Sequence, residues 1–115
     1  AHRFGDGGAY RGPVRSGQRF EELEALASTL RAADLARLLE LYDSEVAFTD
    51  AAIGALLTAL RARPRWDRTV VALTSDHGEE FGERGRVGHG TTLFGEAIDV
   101  PLLLRVPGTA PARLA

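Results

Sequence analysis

Side chains that could bind a metal ion and an anion are concentrated in residues 74–90, TSDHGEEFGERGRVGHG. Asp76 and His77 are adjacent there, and His89 follows thirteen residues after the aspartate. A carboxylate offers hard anionic oxygen and an imidazole a borderline nitrogen, so the first two suit a divalent cation such as Mg, Ca, Mn or Zn. The imidazole of His89 could bind an anionic group or protonate a departing oxygen. This pattern predicts a site for a metal ion and an anionic substrate.

Glycines surround these candidate residues, and they could decide how the backbone presents them. Neighbouring side chains on an extended strand point to opposite faces, so Asp76 and His77 could reach one ion only if the chain bends at once. We expect Gly78 to allow that bend. Later glycines are expected to fold the loop back over the site, namely Gly82, Gly85, Gly88 and Gly90.

Simpler structural interpretations of the same residues stay open at this point. An aspartate after a strand often caps a helix or forms an Asx-turn. A single histidine in a loop, such as His89, is commonly only solvated. The three glutamates of the loop are most simply interpreted as a solvated face, and they are Glu79, Glu80 and Glu83.

Two helices are predicted before this loop. Apolar residues recur every three or four positions from Asp34 to about Arg63, which is the pattern of an amphipathic helix. Such a helix would be about 43 Å long, and Pro64 would end it. The segment FEELEALAST, residues 20–29, has apolar residues at helical spacing and predicts a shorter helix.

Strands are predicted on either side of the loop, which gives an α/β fold class. The run TVVALTS, residues 69–75, lacks polar alternation, as expected for a buried central strand that helices cover. The segment TLFGEAI, residues 92–98, predicts a helical turn, and VPLLLRVPG, residues 100–108, predicts a second apolar strand. Ligands of open α/β sheets lie beyond the carboxyl ends of strands, where Asp76 and His77 stand.

Composition narrows the classes of function. The chain has 115 residues, which suits one small domain or a piece of a larger one, and its net charge of −2 does not favour a nucleic-acid partner. It has no cysteine, so disulfides and thiolate ligands within it are excluded. No apolar run approaches the ~20 residues that span a bilayer, and we expect no membrane segment in this chain.

Three segments together resemble the C-terminal half of the catalytic domain of sulfatases, in the alkaline phosphatase superfamily: YDSEVAFTDAAIGALLTAL, TVVALTSDHGEEFGERG and GHGTTLFGEAIDVPLLLRVPG. The resemblance implies an alkaline-phosphatase-like fold and hydrolysis of small anionic esters of the sulfate or phosphate type. It implies that Asp76 and His77 ligate a divalent metal, calcium in the first place and Mn, Mg or Zn as alternatives. It also implies that His89 contacts the transferred group during catalysis.

The family's nucleophile lies in a C-x-P-S-R or S-x-P-S-R motif, and two further aspartates complete its metal site. These features are not among the 115 residues. We therefore expect residues 1–115 to be a partial catalytic domain that needs the remainder of the domain as its partner and is inactive alone.

A departure from the family pattern occurs near the start of the chain. In the segment AHRFGDGGAYRGP, Gly7 stands where the family has a histidine that faces the leaving-group oxygen. His2 is then a weaker candidate for contact with substrate. The alternatives are a phosphonate or phosphodiester hydrolase or a head-group phosphotransferase of the same superfamily, and a catalytically degenerate scaffold or binding fragment.

Overall fold

The computed structural model describes residues 10–113, so the predictions made for His2 and Gly7 lie outside the described residues. One long helix, two short helices and four short strands make up its regular structure, consistent with the predicted α/β class. In chain order the elements are α1 (Phe20–Leu26), α2 (Ala32–Arg61), β1 (Val71–Thr74), β2 (Glu80–Phe81), β3 (Val87–Gly88), α3 (Gly95–Ile98) and β4 (Leu102–Arg105), with 3₁₀ turns at Ala27–Thr29 and Trp66–Arg68.

Helix α2 confirms the predicted long helix to within two residues at each end. Its first turn is fixed by Asp34, whose carboxylate accepts hydrogen bonds from the Tyr10 hydroxyl at 2.6 Å and from the Arg31 amide at 2.8 Å. These bonds satisfy a donor at the open helix end and favour the charged carboxylate. The Tyr10 hydrogen bond, followed by that of the Arg31 amide, accordingly lowers the pKa of Asp34. The helix ends at Arg61, shortly before Pro64.

Strands β1 and β4 pair with each other antiparallel, with Val71 opposite Arg105 and Thr74 opposite Leu102. The prediction that these strands are buried is wrong for the chain as described, since Leu102, Leu103 and Leu104 expose 67%, 59% and 60% of their surface. A strand of apolar residues indicates that other elements must pack on both of its faces, but it does not say where those elements come from. Residues 10–113 do not supply that cover.

Strands β2 and β3 form a small antiparallel hairpin inside the segment that was expected to be only loop. Helix α2 packs on this hairpin through Tyr42, whose ring meets Phe81 edge-on at a centroid distance of 4.9 Å. Helix α1 packs on its other strand: Gly88 has φ of +101°, and a Cβ atom there would overlap the ring of Phe20. The hairpin is therefore fixed by both helices.

None of the helices within residues 10–113 is long and apolar enough to cross a lipid bilayer.

Candidate functional site

Asp76 and His77 lie just beyond the end of β1, after Ser75, and their side chains approach each other. Asp76 Oδ2 lies 3.6 Å from His77 Nε2. Metal–ligand bonds of about 2.0 to 2.6 Å allow two ligands of one ion to be this far apart. A hydrogen bond of 2.6 Å from the Ser75 hydroxyl to the His77 carbonyl stabilises this bend. The geometry and the donor types therefore fit a shared divalent ion.

The protonation of both side chains also suits cation binding. His77 Nδ1 lies 2.8 Å from the Gly78 carbonyl oxygen, which can only accept, so the proton belongs on Nδ1 and the lone pair on Nε2 faces Asp76. Hydrogen bonds from the backbone amides of Asp76 and His77 lower the pKa of the Asp76 carboxyl. The carboxylate is therefore ionised at neutral pH.

Gly78 is required here for a different reason from the one expected. It has no positive φ. Its amide donates to the Ala97 carbonyl at 2.8 Å, and a Cβ atom at this position would overlap the Glu96 carbonyl oxygen. The missing side chain thus lets the α3 backbone approach the end of β1. The four later glycines do have positive φ, as a folded-back loop needs: Gly82, Gly85, Gly88 and Gly90.

His89 returns to the site directly after β3, the second strand of the hairpin. Its ring stacks on that of His77 with centroids 3.8 Å apart and planes inclined by 25°. It also contacts the Phe20 ring at 5.2 Å. Its Nδ1 lies 3.1 Å from Glu79 Oε2. The structure therefore brings together Asp76, His77 and His89, the three residues that the sequence singled out within the described range.

A second set of donors overlaps this arrangement, because His77, Glu79 and His89 each place one donor atom within 4.8 Å of the others. The two imidazoles are stacked with their planes inclined by 25°, and His89 Nδ1 lies 3.1 Å from Glu79 Oε2. The structure thus holds two neighbouring sets of donors that share His77, one with Asp76 and one with Glu79 and His89.

The interpretation of the loop glutamates as a solvated face is wrong for two of them. Glu80 exposes only 1% of its surface and accepts hydrogen bonds from Arg84 at 3.2 Å and from the Thr92 hydroxyl at 2.8 Å. Glu79 bonds His89, as described above. Glu83 remains exposed, and its carboxylate accepts from the Phe81 amide. The burial of Glu80 could have been suspected from Arg84, four residues further on, because a buried carboxylate needs a cationic partner.

Arg84 joins the hairpin to α3. Its guanidinium donates two hydrogen bonds to the Glu96 carboxylate, at 3.2 and 2.7 Å, and lies 3.7 Å from the centre of the Phe94 ring. The hydrogen bonds from Arg84 lower the pKa of Glu96. Because α3 lies against Gly78, this pair also supports the segment that carries Asp76 and His77.

The depressed pKa of Glu96 predicts a loss of stability in acid. The unfolded chain binds a proton to this group near pH 4.5, before the folded chain does. The contribution of the Arg84 pair is therefore present above that pH and is lost as the pH falls through the folded-state pKa. In the protein that contains this chain, we expect the melting temperature to fall less steeply between about pH 5 and 3 for Glu96→Gln than for wild type. Equal slopes in thermal unfolding would contradict this assignment.

A groove of about 930 Å³ runs between α2 and the end of β1. Its walls include Tyr42 and Asp50 from the helix, and Asp76, His77 and Glu79 from the loop. The candidate metal ligands are therefore reached from an open, partly apolar groove.

The sequence comparisons identify the family. The family model described as Sulfatase matches residues 7–115, which is nearly the whole chain. The chain, with its mixed helix-and-strand fold, belongs to the sulfatase family of the alkaline phosphatase superfamily. The resemblance found in the sequence is thereby confirmed.

Curated relatives agree with this placement. The multifunctional alkaline phosphatase superfamily protein PehA of Trinickia caryophylli is 26% identical over 98 residues, which are 83% of this chain and 18% of PehA. Iduronate 2-sulfatase of Mus musculus is 38% identical over 76 residues, 65% of this chain and 14% of that protein. Choline-sulfatase of Rhizobium meliloti is 33% identical over 70 residues, 61% of this chain and 14% of that protein. The chain thus spans less than a fifth of the length of these relatives. No solved structure matches it significantly.

Proposed function

We propose that the protein containing this chain is a metal-dependent hydrolase of sulfuric esters, and that residues 1–115 are part of its catalytic domain. The observation that carries the proposal is the 3.6 Å separation of Asp76 Oδ2 and His77 Nε2 at the end of β1, with His89 stacked on His77. In a sulfatase-family chain, this arrangement supports metal binding by the first two residues and contact with substrate by the third. Relatives that are named for sulfate esters support the same substrate class.

The metal proposed for Asp76 and His77 is a divalent ion. A bound ion of this kind would neutralise the anionic oxygens of the ester and lower the pKa of a nucleophile. Calcium is our first choice because of the likeness to sulfatases, and Mn, Mg or Zn are alternatives that a carboxylate and an imidazole would also accept. The two residues are too few to hold an ion tightly by themselves, so further ligands must come from other parts of the domain.

The roles of the chain's own residues follow from their contacts. Asp76 supplies negative charge, because its lowered pKa keeps it ionised. His77 presents Nε2, because its Nδ1 bonds to the Gly78 carbonyl. His89 uses its remaining ring nitrogen to balance charge on the transferred group and to give a proton to the leaving oxygen.

The remainder of the catalytic domain is the proposed partner of this chain. It would cover the leucines of β4 and close the groove beside Asp76, and it would carry the nucleophile. Burying apolar surface of this kind is favourable, at roughly 25 cal/mol per Å². Without it we expect the isolated 115-residue chain to be inactive.

The experiment is a substrate panel with the purified full-length protein. Aryl sulfate, aryl phosphate and aryl phosphonate monoesters are supplied with Ca²⁺ or with Mn²⁺, and kcat/KM is measured for each. We expect the sulfate ester to be preferred and chelation to abolish turnover. Preference for the phosphonate would place the protein among the phosphorus-ester hydrolases of the superfamily. Absence of turnover on every ester would favour a degenerate scaffold.

A further inference from the structure

Glu79 and His89 form a carboxylate–imidazole pair beside the proposed metal ligands, and the proposed function gives Glu79 no role. We propose that Glu79 is a positioning residue for His89: it holds Nδ1 of the imidazole, so that Nε2 is the nitrogen presented to the transferred group. The inference rests on the proposed function of His89 and adds a second residue to the same site.

The register of the hairpin creates this pair. Strand β2 places Glu80 opposite Gly88 and Phe81 opposite Val87 in an antiparallel ladder. Extending the same register by one position sets Glu79 opposite His89. Directly opposed residues of antiparallel strands have Cβ atoms about 4.5 to 5.5 Å apart, which is within reach of a side-chain hydrogen bond. The pairing is thus a consequence of how the backbone is hydrogen-bonded.

The observed distances agree with this register. His89 Nδ1 lies 3.1 Å from Oε2 and 3.4 Å from Oε1 of Glu79. An ionised carboxylate can only accept, so Nδ1 carries the proton. The side chain of Glu79 is only 23% exposed and that of His89 only 39%, so water competes with the bond less than it would at an open surface.

The contacts of neighbouring residues fix the strand that carries Glu79, and a positioning residue needs such a rigid support. Its neighbour Glu80 is buried and bonded to Arg84 and Thr92. The ring of His89 is held in addition by the stack on His77 and by the Phe20 contact. These ring contacts fix the plane of the imidazole, and Glu79 fixes which nitrogen points away from the hairpin.

A double-mutant cycle tests the proposal in the full-length protein. We expect Glu79→Ala to lower kcat on an aryl sulfate by about 10- to 100-fold with little change in KM, because a hydrogen bond to a charged group is lost. In a His89→Ala background the same change is expected to cost less than about threefold, since Glu79 acts through His89. A purely structural role would give the same loss in both backgrounds, and that additive result would overturn the proposal.

Conservative variants and a matched control sharpen the test. Glu79→Gln keeps an acceptor oxygen at the same reach and is expected to recover most of the lost kcat. Glu24→Ala removes an exposed glutamate of α1 and is expected to leave kcat unchanged. Metal content by elemental analysis is expected to be unchanged in Glu79→Ala. Loss of the ion on this substitution would make Glu79 a ligand and would overturn its assignment as a positioning residue.

A crystal structure of Glu79→Ala gives a readout that does not depend on turnover. We expect the His89 ring to rotate or to lose order there, and to stay in place in Glu79→Gln. An unmoved, well-ordered ring in the alanine variant would overturn the inference whatever the substrate proves to be. Failure of the proposed function would instead show as an unaffected kcat in His89→Ala, or as no turnover by wild type.

Discussion

Replacement of Asp76 by alanine is expected to remove the metal ion and to lower sulfatase turnover by more than about 10³-fold. A divalent ion held there would stabilise transition-state charge by several kcal/mol, and each 1.36 kcal/mol corresponds to a factor of ten in rate. Asp76 is the proposed oxygen ligand in this chain, and its carboxylate lies 3.6 Å from His77 Nε2. Without it, one imidazole would remain to hold the ion from this side. Elemental analysis after dialysis and kcat/KM on an aryl sulfate measure the two effects.

Two variants separate ligand loss from misfolding. Asp43→Ala removes an exposed carboxylate of α2 and is expected to retain both metal and activity. Asp76→Asn keeps one neutral oxygen and is expected to bind the ion more weakly, so excess metal should restore part of the rate. Full metal occupancy in Asp76→Ala would reject the assignment of this carboxylate as a ligand. It would instead favour the structural interpretation, in which the carboxylate only accepts the 3.0 Å hydrogen bond from the His77 amide.

The second large effect is expected from His89→Ala, which should lower kcat by about 10²- to 10⁴-fold. That range is what a positioned general acid or base contributes. The metal should stay in place, because Asp76 and His77 are the proposed ligands and His89 is bonded through Nδ1 to Glu79. Rates with two aryl sulfates of different leaving-group pKa provide the measurement. The loss should be larger for the poorer leaving group, which depends more on protonation.

The removal of this ring also leaves a gap beside Phe20 and His77, so stability must be measured in parallel. His89→Gln fills more of that space and should fold like wild type while remaining slow. Thermal unfolding of both variants provides the control. If His89→Ala lost the metal ion, the set of His77, Glu79 and His89 would be the coordinating group, and the Asp76 assignment would have to be revised.

Local sequence patterns predicted most of the elements of this fold. The apolar spacing from Asp34 onward gave the long helix, and Pro64 indicated its end, because helix formation depends on neighbours three and four residues away and on a free amide. The strand before Asp76 and the helical turn before Asp99 were placed correctly for similar reasons. The hairpin of β2 and β3 was missed, since two-residue strands leave no periodicity to detect.

The sequence alone was enough to predict which residues form the candidate site. Asp76, His77 and His89 could be selected from residue type and spacing, and the family likeness was visible in the same segment. The role of Gly78 could not be foreseen, because it depends on the backbone of α3, which approaches from about twenty residues further along the chain. The burial of Glu80 likewise depends on Thr92, twelve residues away.

The sequence by itself determined the family, the long helix, the strand that precedes Asp76, and the residue types available for a cation and an anion. Tertiary structure alone decided that Glu79 meets His89, that the two imidazoles stack, and that the leucines of β4 remain exposed. The physical reason is range: propensity and spacing act over a few neighbouring residues, whereas burial, stacking and side-chain pairing depend on which distant segments share the same space.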